Sequence, residues 1–158
     1  MNMFSQTSII GIDFGDTIFY KLEDHTKIIF DDAVRVIRRM VDDPHVIVHI
    51  ISRVNEEQER RGIKWMADVD FLGQVNLPRD HVHFCRERKD KADIARALKV
   101  THHIDDRPEV MAHMDVSIYK YLFRPNPTDL MAYYNQLQRH HVKVIKTWVE
   151  IENEFFPA

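Results

Sequence analysis

The chain has 158 residues, 44% of them hydrophobic and 30% charged, a composition that excludes a disordered or membrane-embedded class and suits one soluble globular domain. Lys and Arg number 22 against 25 Asp and Glu, a formal net charge of −3, too near neutral to announce a polyanionic partner. The single cysteine, Cys85, excludes an internal disulfide and a cysteine-rich zinc site.

A domain of this length buries about two-thirds of the surface its unfolded chain exposes, so no staple is required. No apolar run approaches the ~20 residues of a spanning helix, and the N-terminus lacks a charged-then-apolar signal pattern. A cytoplasmic protein with no membrane partner is expected.

The first element is Ser8-Ile9-Ile10-Gly11-Ile12-Asp13-Phe14-Gly15-Asp16-Thr17. A β-branched run ends in an aspartate, and Gly, Asp and Thr then turn the chain, which reads as a buried strand. An acid where such a strand stops sits at the carboxyl edge of a parallel sheet, where open α/β folds bind ligands. Asp13 is therefore a candidate nucleophile or metal ligand.

Ile18-Phe19-Tyr20 and Ile28-Ile29-Phe30 flank a polar Glu23-Asp24-His25 tip and predict a β-hairpin. Asp31-Asp32 can cap a helix with Ala33, Ile37, Met40 and Val41 on its apolar face. Arg35, Arg38 and Arg39 would then face water, and Asp43-Pro44 stops the helix. Val46 to Ile51 is apolar on both faces, as a central parallel strand should be, and ends at Ser52.

A helix is predicted from Asn55 to about Leu72, weakened at Gly62, with Trp65, Met66 and Phe71 in the core. A short strand runs from His81 to Cys85. The charged run Arg86-Glu87-Arg88-Lys89-Asp90-Lys91 leads into a helix from Ala92 to Lys99. Val100 to Ile104 is a strand that again ends in acid, Asp105-Asp106, and Arg107-Pro108-Glu109 opens a short helix. A strand over Val116 to Phe123, a helix from Asn126 to about Arg139, an edge strand over Val142 to Lys146 and a helix from Trp148 to Phe155 complete the chain. Strands alternate with helices throughout, which predicts one α/β domain over residues 1–158, a three-layer sandwich with a mainly parallel sheet.

Asp13, Ser52 and Asp105-Asp106 would share one sheet edge if consecutive strands are parallel, and Lys91 could reach them from the helix before the Asp105 strand. Each has a purely structural reading: Ser52 as a turn residue, Lys91 as a solvated charge, Asp106 as part of a helix start. Together they suit phosphoryl chemistry. Carboxylates with an open position suit octahedral Mg²⁺, lysine and hydroxyl groups meet charge developing on a phosphoryl group, and an aspartate can attack phosphorus.

In these four segments the sequence resembles the haloacid dehalogenase (HAD) superfamily of phosphatases. The apolar strand with Asp13-Phe14-Gly15-Asp16-Thr17 resembles its first motif, and Val48-His49-Ile50-Ile51-Ser52 its second. Lys91, with Lys89 as the competing register, resembles the third, and His103-Ile104-Asp105-Asp106 the fourth. The wording Arg88-Lys89-Asp90-Lys91, Ile104-Asp105-Asp106-Arg107-Pro108 and the tail Val144 to Ile151 is most similar to the 5′-nucleotidase (deoxyribonucleotidase) branch.

The resemblance implies a HAD-like core with a Rossmann-like sheet and a hairpin flap that closes over the nucleophile. It implies Asp13 as nucleophile and Mg²⁺ ligand, the backbone carbonyl of Gly15 as a second ligand, and Asp105 and Asp106 as further metal-site acids. Ser52 and Lys91 would hold the phosphoryl group. The family's general acid, two residues after the nucleophile, is here Gly15, with an aspartate instead at Asp16. Asp16 could swing in, Tyr20 or His25 of the flap could substitute, or hydrolysis could be slow.

The short segments between motifs leave no room for a cap domain, so an exposed site is expected. It would take a phosphorylated small molecule or an exposed phosphate on a larger substrate, and a homo-oligomer could close it. The expected function is a Mg²⁺-dependent phosphomonoester hydrolase. The alternatives are a catalytically weak or inactive protein binding a phosphorylated ligand or protein, and a nucleotide or nucleic-acid end phosphatase. Ten histidines include His45 and His49, and His81 and His83, as pairs sharing a strand face, but none has zinc spacing with thiolates.

Overall fold

Ile9, Ile10 and Ile12 make β1 (Ser8–Ile12) stiff and apolar on both faces, and that strand takes an interior position. The computed structural model describes residues 6–158. On one side β1 pairs with β4 (Val46–Arg53), and β4 pairs with β5 (Val82–Cys85). On the other side follow β6 (His102–Asp105), β7 (Tyr119–Phe123) and β8 (His141–Ile145). All pairs are parallel, and the order β5-β4-β1-β6-β7-β8 makes one six-stranded sheet. The predicted hairpin forms a separate antiparallel pair, β2 (Phe19–Lys21) with β3 (Lys27–Ile29).

The chain leaves β1 for β4 and β5, then crosses back over β1 to begin β6. That reversal puts a topological switch point between β1 and β6, where the carboxyl ends of the strands splay around a crevice.

Alternation in β1 divides the core. Ile10 and Ile12 face a cluster with Ala33, Val36, Ile37 and Met40 of α1 (Ala33–Asp42) and Trp148 and Ile151 of α8 (Trp148–Phe155). Ile9 and Ile51 face the opposite cluster, with Ala95 of α4 (Asp90–Ala97) and Val110 of α5 (Pro108–His113). Helices cover both faces, which gives the three layers expected from the strand–helix alternation.

Several predicted boundaries move. The helix expected to reach Leu72 is two helices, α2 (Glu56–Asp68) and α3 (Phe71–Val75), because Asp70 adopts a left-handed φ of 50° and turns the chain. The expected start at Asn55 holds: its side chain accepts from the Gln58 N–H at 2.8 Å while Gln58 Oε1 accepts from the Asn55 N–H at 3.0 Å, a reciprocal cap. The helix expected to reach Arg139 breaks at Tyr133 into α6 (Pro127–Ala132) and α7 (Tyr134–Leu137). β6 and β7 begin at His102 and Tyr119, later than the apolar runs suggest, since Val100 and Ile118 instead pack in the core beside the sheet.

Asp32 does not cap α1 with its side chain; at φ 65° its carboxylate accepts instead from Arg35 Nε at 3.0 Å. Arg35 and Arg39, expected to be merely solvated, reach Glu152 of α8 at 2.6 and 3.1 Å. Met66 and Phe71 are core as expected, whereas Trp65 is only partly buried.

His45 lies outside β4, so it does not share a strand face with His49. The histidines that meet are His49 of β4, His81 of a 3₁₀ turn (Arg79–His81) and His83 of β5. His49 Nδ1 lies 3.0 Å from His83 Nε2, and the His49 and His81 rings stack at 4.5 Å. Burial first, then His81 and His83, lower the His49 pKa from 6.5 to about 4. Because the unfolded chain takes up this proton more readily, the stabilisation is present above pH 6.5 and is lost as pH falls towards 4. Partial exposure limits the effect to about 1 kcal/mol. His49→Gln is expected to flatten the fall in melting temperature between pH 7 and pH 4.5; parallel profiles for variant and wild type would refute this assignment.

Candidate active site

Asp13 follows the last residue of β1, and its N–H donates to the Ile104 carbonyl at 2.9 Å, which ties the ends of β1 and β6 together. Asp105 is the last residue of β6, so the two acids flank the switch point. Lys91 lies in the first turn of α4, 2% exposed, and its ammonium donates to Asp13 Oδ1 at 2.7 Å and to Asp105 Oδ2 at 2.8 Å. The competing Lys89 is exposed at the helix start. Successive helical residues turn about 100°, so two lysines two apart point to opposite sides, and only one can face the sheet.

Each acid is further tied down. Thr17 Oγ1 donates to Asp13 Oδ2 at 3.1 Å, and Trp148 Nε1 of α8 donates to the Thr17 carbonyl at 3.0 Å. Asp105 accepts from His103 Nε2 at 3.1 Å and from the Arg107 N–H at 3.1 Å. His103 is buried on the sheet face beside Gly11, where a Cβ would stand 2.6 Å from His103 Nδ1. Glycine at this position lets the imidazole lie flat against β1.

Asp106 completes a group in which carboxylate oxygens of Asp13, Asp105 and Asp106 all lie within 4.8 Å of one another. Burial first, then repulsion from Asp105, raises the Asp13 pKa despite Lys91. Against the cost of burial, Lys91 and His103 hold Asp105 well below the usual carboxylate range. Against the same cost, Asp105 and Asp13 raise the Lys91 pKa. Asp106 is pushed up to about 9 by burial and by its two acid neighbours. One buried ammonium thus bonds two acids with a third carboxyl group beside them, a cluster of oxygen donors that a hard divalent cation fits.

Ser52, 3% exposed near the end of β4, lines the same cleft of about 420 Å³, as do Gly15 and Asp16. Asp16 is exposed at a left-handed φ of 61°, outside the lysine–carboxylate cluster. Of the two flap residues considered as proton donors, His25 lines the cleft, whereas Tyr20 packs on Phe30 at 4.9 Å. Between β1 and β4 the chain holds the hairpin and α1, and between β4 and α4 it holds α2, α3, the 3₁₀ turn and β5; the hairpin and α2 wall the cleft.

Sequence reasoning singled out Asp13, Ser52, Lys91 and Asp105-Asp106, which the fold brings to one edge of the sheet. It missed Thr17 and His103 as supports. The period of two in β6 was the available signal for His103, since residues 103 and 105 must share a face. It also missed the basic wall of the cleft, because Lys21, Lys27, Arg53, Arg61, Arg88 and Arg107 come from separated segments.

No protein-family model matches the chain, and no curated protein does. A de novo designed Rossmann 3x3 fold protein, solved by NMR, is similar over 96% of both chains with a TM-score of 0.53 and 13% identity. The fold is Rossmann-like α/β. At that identity the likeness concerns the fold alone.

Proposed function

We propose that the chain is a Mg²⁺-dependent phosphomonoester hydrolase of the haloacid dehalogenase type, acting through an aspartyl-phosphate on Asp13. The observation that carries this reading is the buried Lys91 ammonium held between Asp13 and Asp105, with Asp106 beside them, at the switch point of a parallel sheet. The bonds from Thr17 and Lys91 fix the Asp13 carboxylate in one rotamer, as a nucleophile requires.

In the proposed reaction an Asp13 oxygen attacks phosphorus, the bond from phosphorus to the ester oxygen breaks, and that oxygen takes up a proton from solvent. Water then attacks the acyl phosphate, releasing inorganic phosphate and restoring the Asp13 carboxylate. Lys91 and the Ser52 hydroxyl would meet the non-bridging phosphoryl oxygens, where negative charge develops. Asp13, Asp105, Asp106 and the Gly15 carbonyl would hold Mg²⁺, which when bound neutralises phosphoryl oxygens.

Gly15 supplies no general acid. A Cβ there meets only Phe19 Cζ, at 3.8 Å, and the glycine φ lies outside the left-handed region, so an aspartate fits. Gly15→Asp is expected to raise alkyl phosphate hydrolysis by about 10²-fold and aryl phosphate hydrolysis by much less, since aryl oxygens leave without a proton. Equal gains on both would count against the missing-acid account.

The same glycine favours a second reading, a catalytically weak protein that binds a phosphorylated ligand. An aryl phosphate assay with Mg²⁺, run beside Asp13→Asn, separates the two: turnover that vanishes in the variant supports the hydrolase, and none in either supports the binder. Nucleotides, as in the 5′-nucleotidase branch, form the narrower version of the proposal, and a phosphate panel tests it.

A further inference from the structure

The wall of the cleft carries more positive charge than a single phosphoryl group calls for. The acids lining it are Asp13 and Asp16, while Lys21, Lys27, Arg53, Arg61, Arg88 and Arg107 line it in addition to Lys91. Arg61 is paired with Glu57 at 2.6 Å and Arg88 with Glu109 at 2.9 Å. Lys21, Lys27, Arg53 and Arg107 have no acidic side-chain partner among the described residues.

Lys21 and Lys27 stand directly opposite each other across the hairpin. Like charges in that relation destabilise a strand pair. Lys27 also lies over the Phe19 and Trp65 rings, at 5.6 and 5.7 Å, which holds its ammonium against the wall. Burial, then Lys21 and Arg61, pull the Lys27 pKa below its ordinary value. An anion between the two lysines would offset both the repulsion and the burial of positive charge.

The position of the pair sets it apart from the nucleophile. Phe19 bridges to Gly15 at the mouth of the carboxylate cluster, and Lys21 lies two residues further along β2, roughly 7 Å at strand rise. The lysines therefore meet a different part of the ligand from the part that Lys91 meets.

We propose that the organic phosphate accommodated by this cleft carries a second phosphate group, which Lys21 and Lys27 of the hairpin engage. The inference rests on the hydrolase reading for the placement of the first phosphate at Asp13. A cleft of about 420 Å³ suits a small molecule. A formal charge of −3 for the whole chain argues against a nucleic-acid track. Phe19 and Phe84 on the same wall offer apolar surface to the ligand's organic part.

The test uses full-length Asp13→Asn protein, which binds without turnover, titrated calorimetrically with adenosine 3′,5′-bisphosphate and with adenosine 5′-monophosphate. The bisphosphate is expected to bind about tenfold more tightly. Adding Lys21→Met and Lys27→Met should bring the two affinities together, whereas adding Arg38→Met, on the outer face of α1, should leave the difference intact. Equal affinities, or a preference that survives the double lysine change, would overturn the proposal. So would tighter binding of a 5′-phosphorylated oligonucleotide than of the bisphosphate. Wild-type hydrolysis is read separately. A bisphosphate preference without hydrolysis of any ester removes the hydrolase reading and leaves the second phosphate site standing; hydrolysis without the preference does the reverse.

Discussion

Asp13→Asn is expected to abolish formation of a phosphoenzyme and to lower aryl phosphate hydrolysis by about 10³-fold or more. An amide oxygen is a poor nucleophile, and neither Asp105 nor Asp106 can replace it. Asp105 is committed to Lys91, His103 and the Arg107 N–H, and the Asp106 pKa is pushed up to about 9. Stability should move the other way. Two buried acids share one ammonium with a third carboxyl group beside them, and burial and Asp105 already disfavour the charged form of Asp13. The neutral variant is therefore expected to melt at or slightly above the wild-type temperature in EDTA, and to gain less from added Mg²⁺. Full activity in the variant, or loss of activity together with unfolding, would refute the role given to Asp13.

Lys91→Met carries the largest expected cost to the fold. Lys91 is 2% exposed, and its ammonium is bonded to two buried acids. Removing one partner of a buried ion pair leaves uncompensated charge and costs about 3–5 kcal/mol. For a domain of this size that is roughly a 10 °C fall in melting temperature. Mg²⁺ should recover part of it, because a divalent cation supplies the missing countercharge to the same three carboxylates. A Lys89→Met control, at an exposed helix start, should be near neutral. Similar losses from both substitutions would mean that Lys91 does not hold the acids together.

The two variants separate roles that the geometry joins. Asp13 faces Lys91 on one oxygen and Thr17 on the other, and Thr17 is in turn clasped by Trp148 of the last helix. The C-terminal element thus reaches the loop behind the proposed nucleophile across 131 residues of sequence.

Much of the architecture was legible in the order of residues. The β-branched run ending at Asp13 and the apolar run ending at Ser52 gave interior parallel strands, because unbroken apolar segments need cover on both faces. The hairpin was legible from two short apolar runs about a polar tip, although its turn lacks an Asn-Gly pair. Helix ends were harder. Asp70, Asp32 and Lys99 all adopt left-handed φ, a cost that surrounding packing rather than local preference imposes.

Local sequence determined the strand–helix alternation, and with it the delivery of Asp13, Ser52 and Asp105 to strand ends, because the periodicity of apolar residues is a property of neighbouring positions. Tertiary structure alone decided that Lys91 rather than Lys89 enters the sheet edge and that three histidines meet beside β4. It alone gathered unpaired cations from the hairpin, from the carboxyl end of β4 and from the loop after β6 into one cleft. These depend on helix phase, strand register and crossover direction, which are settled when distant segments bury their apolar faces together and which no window of adjacent residues contains.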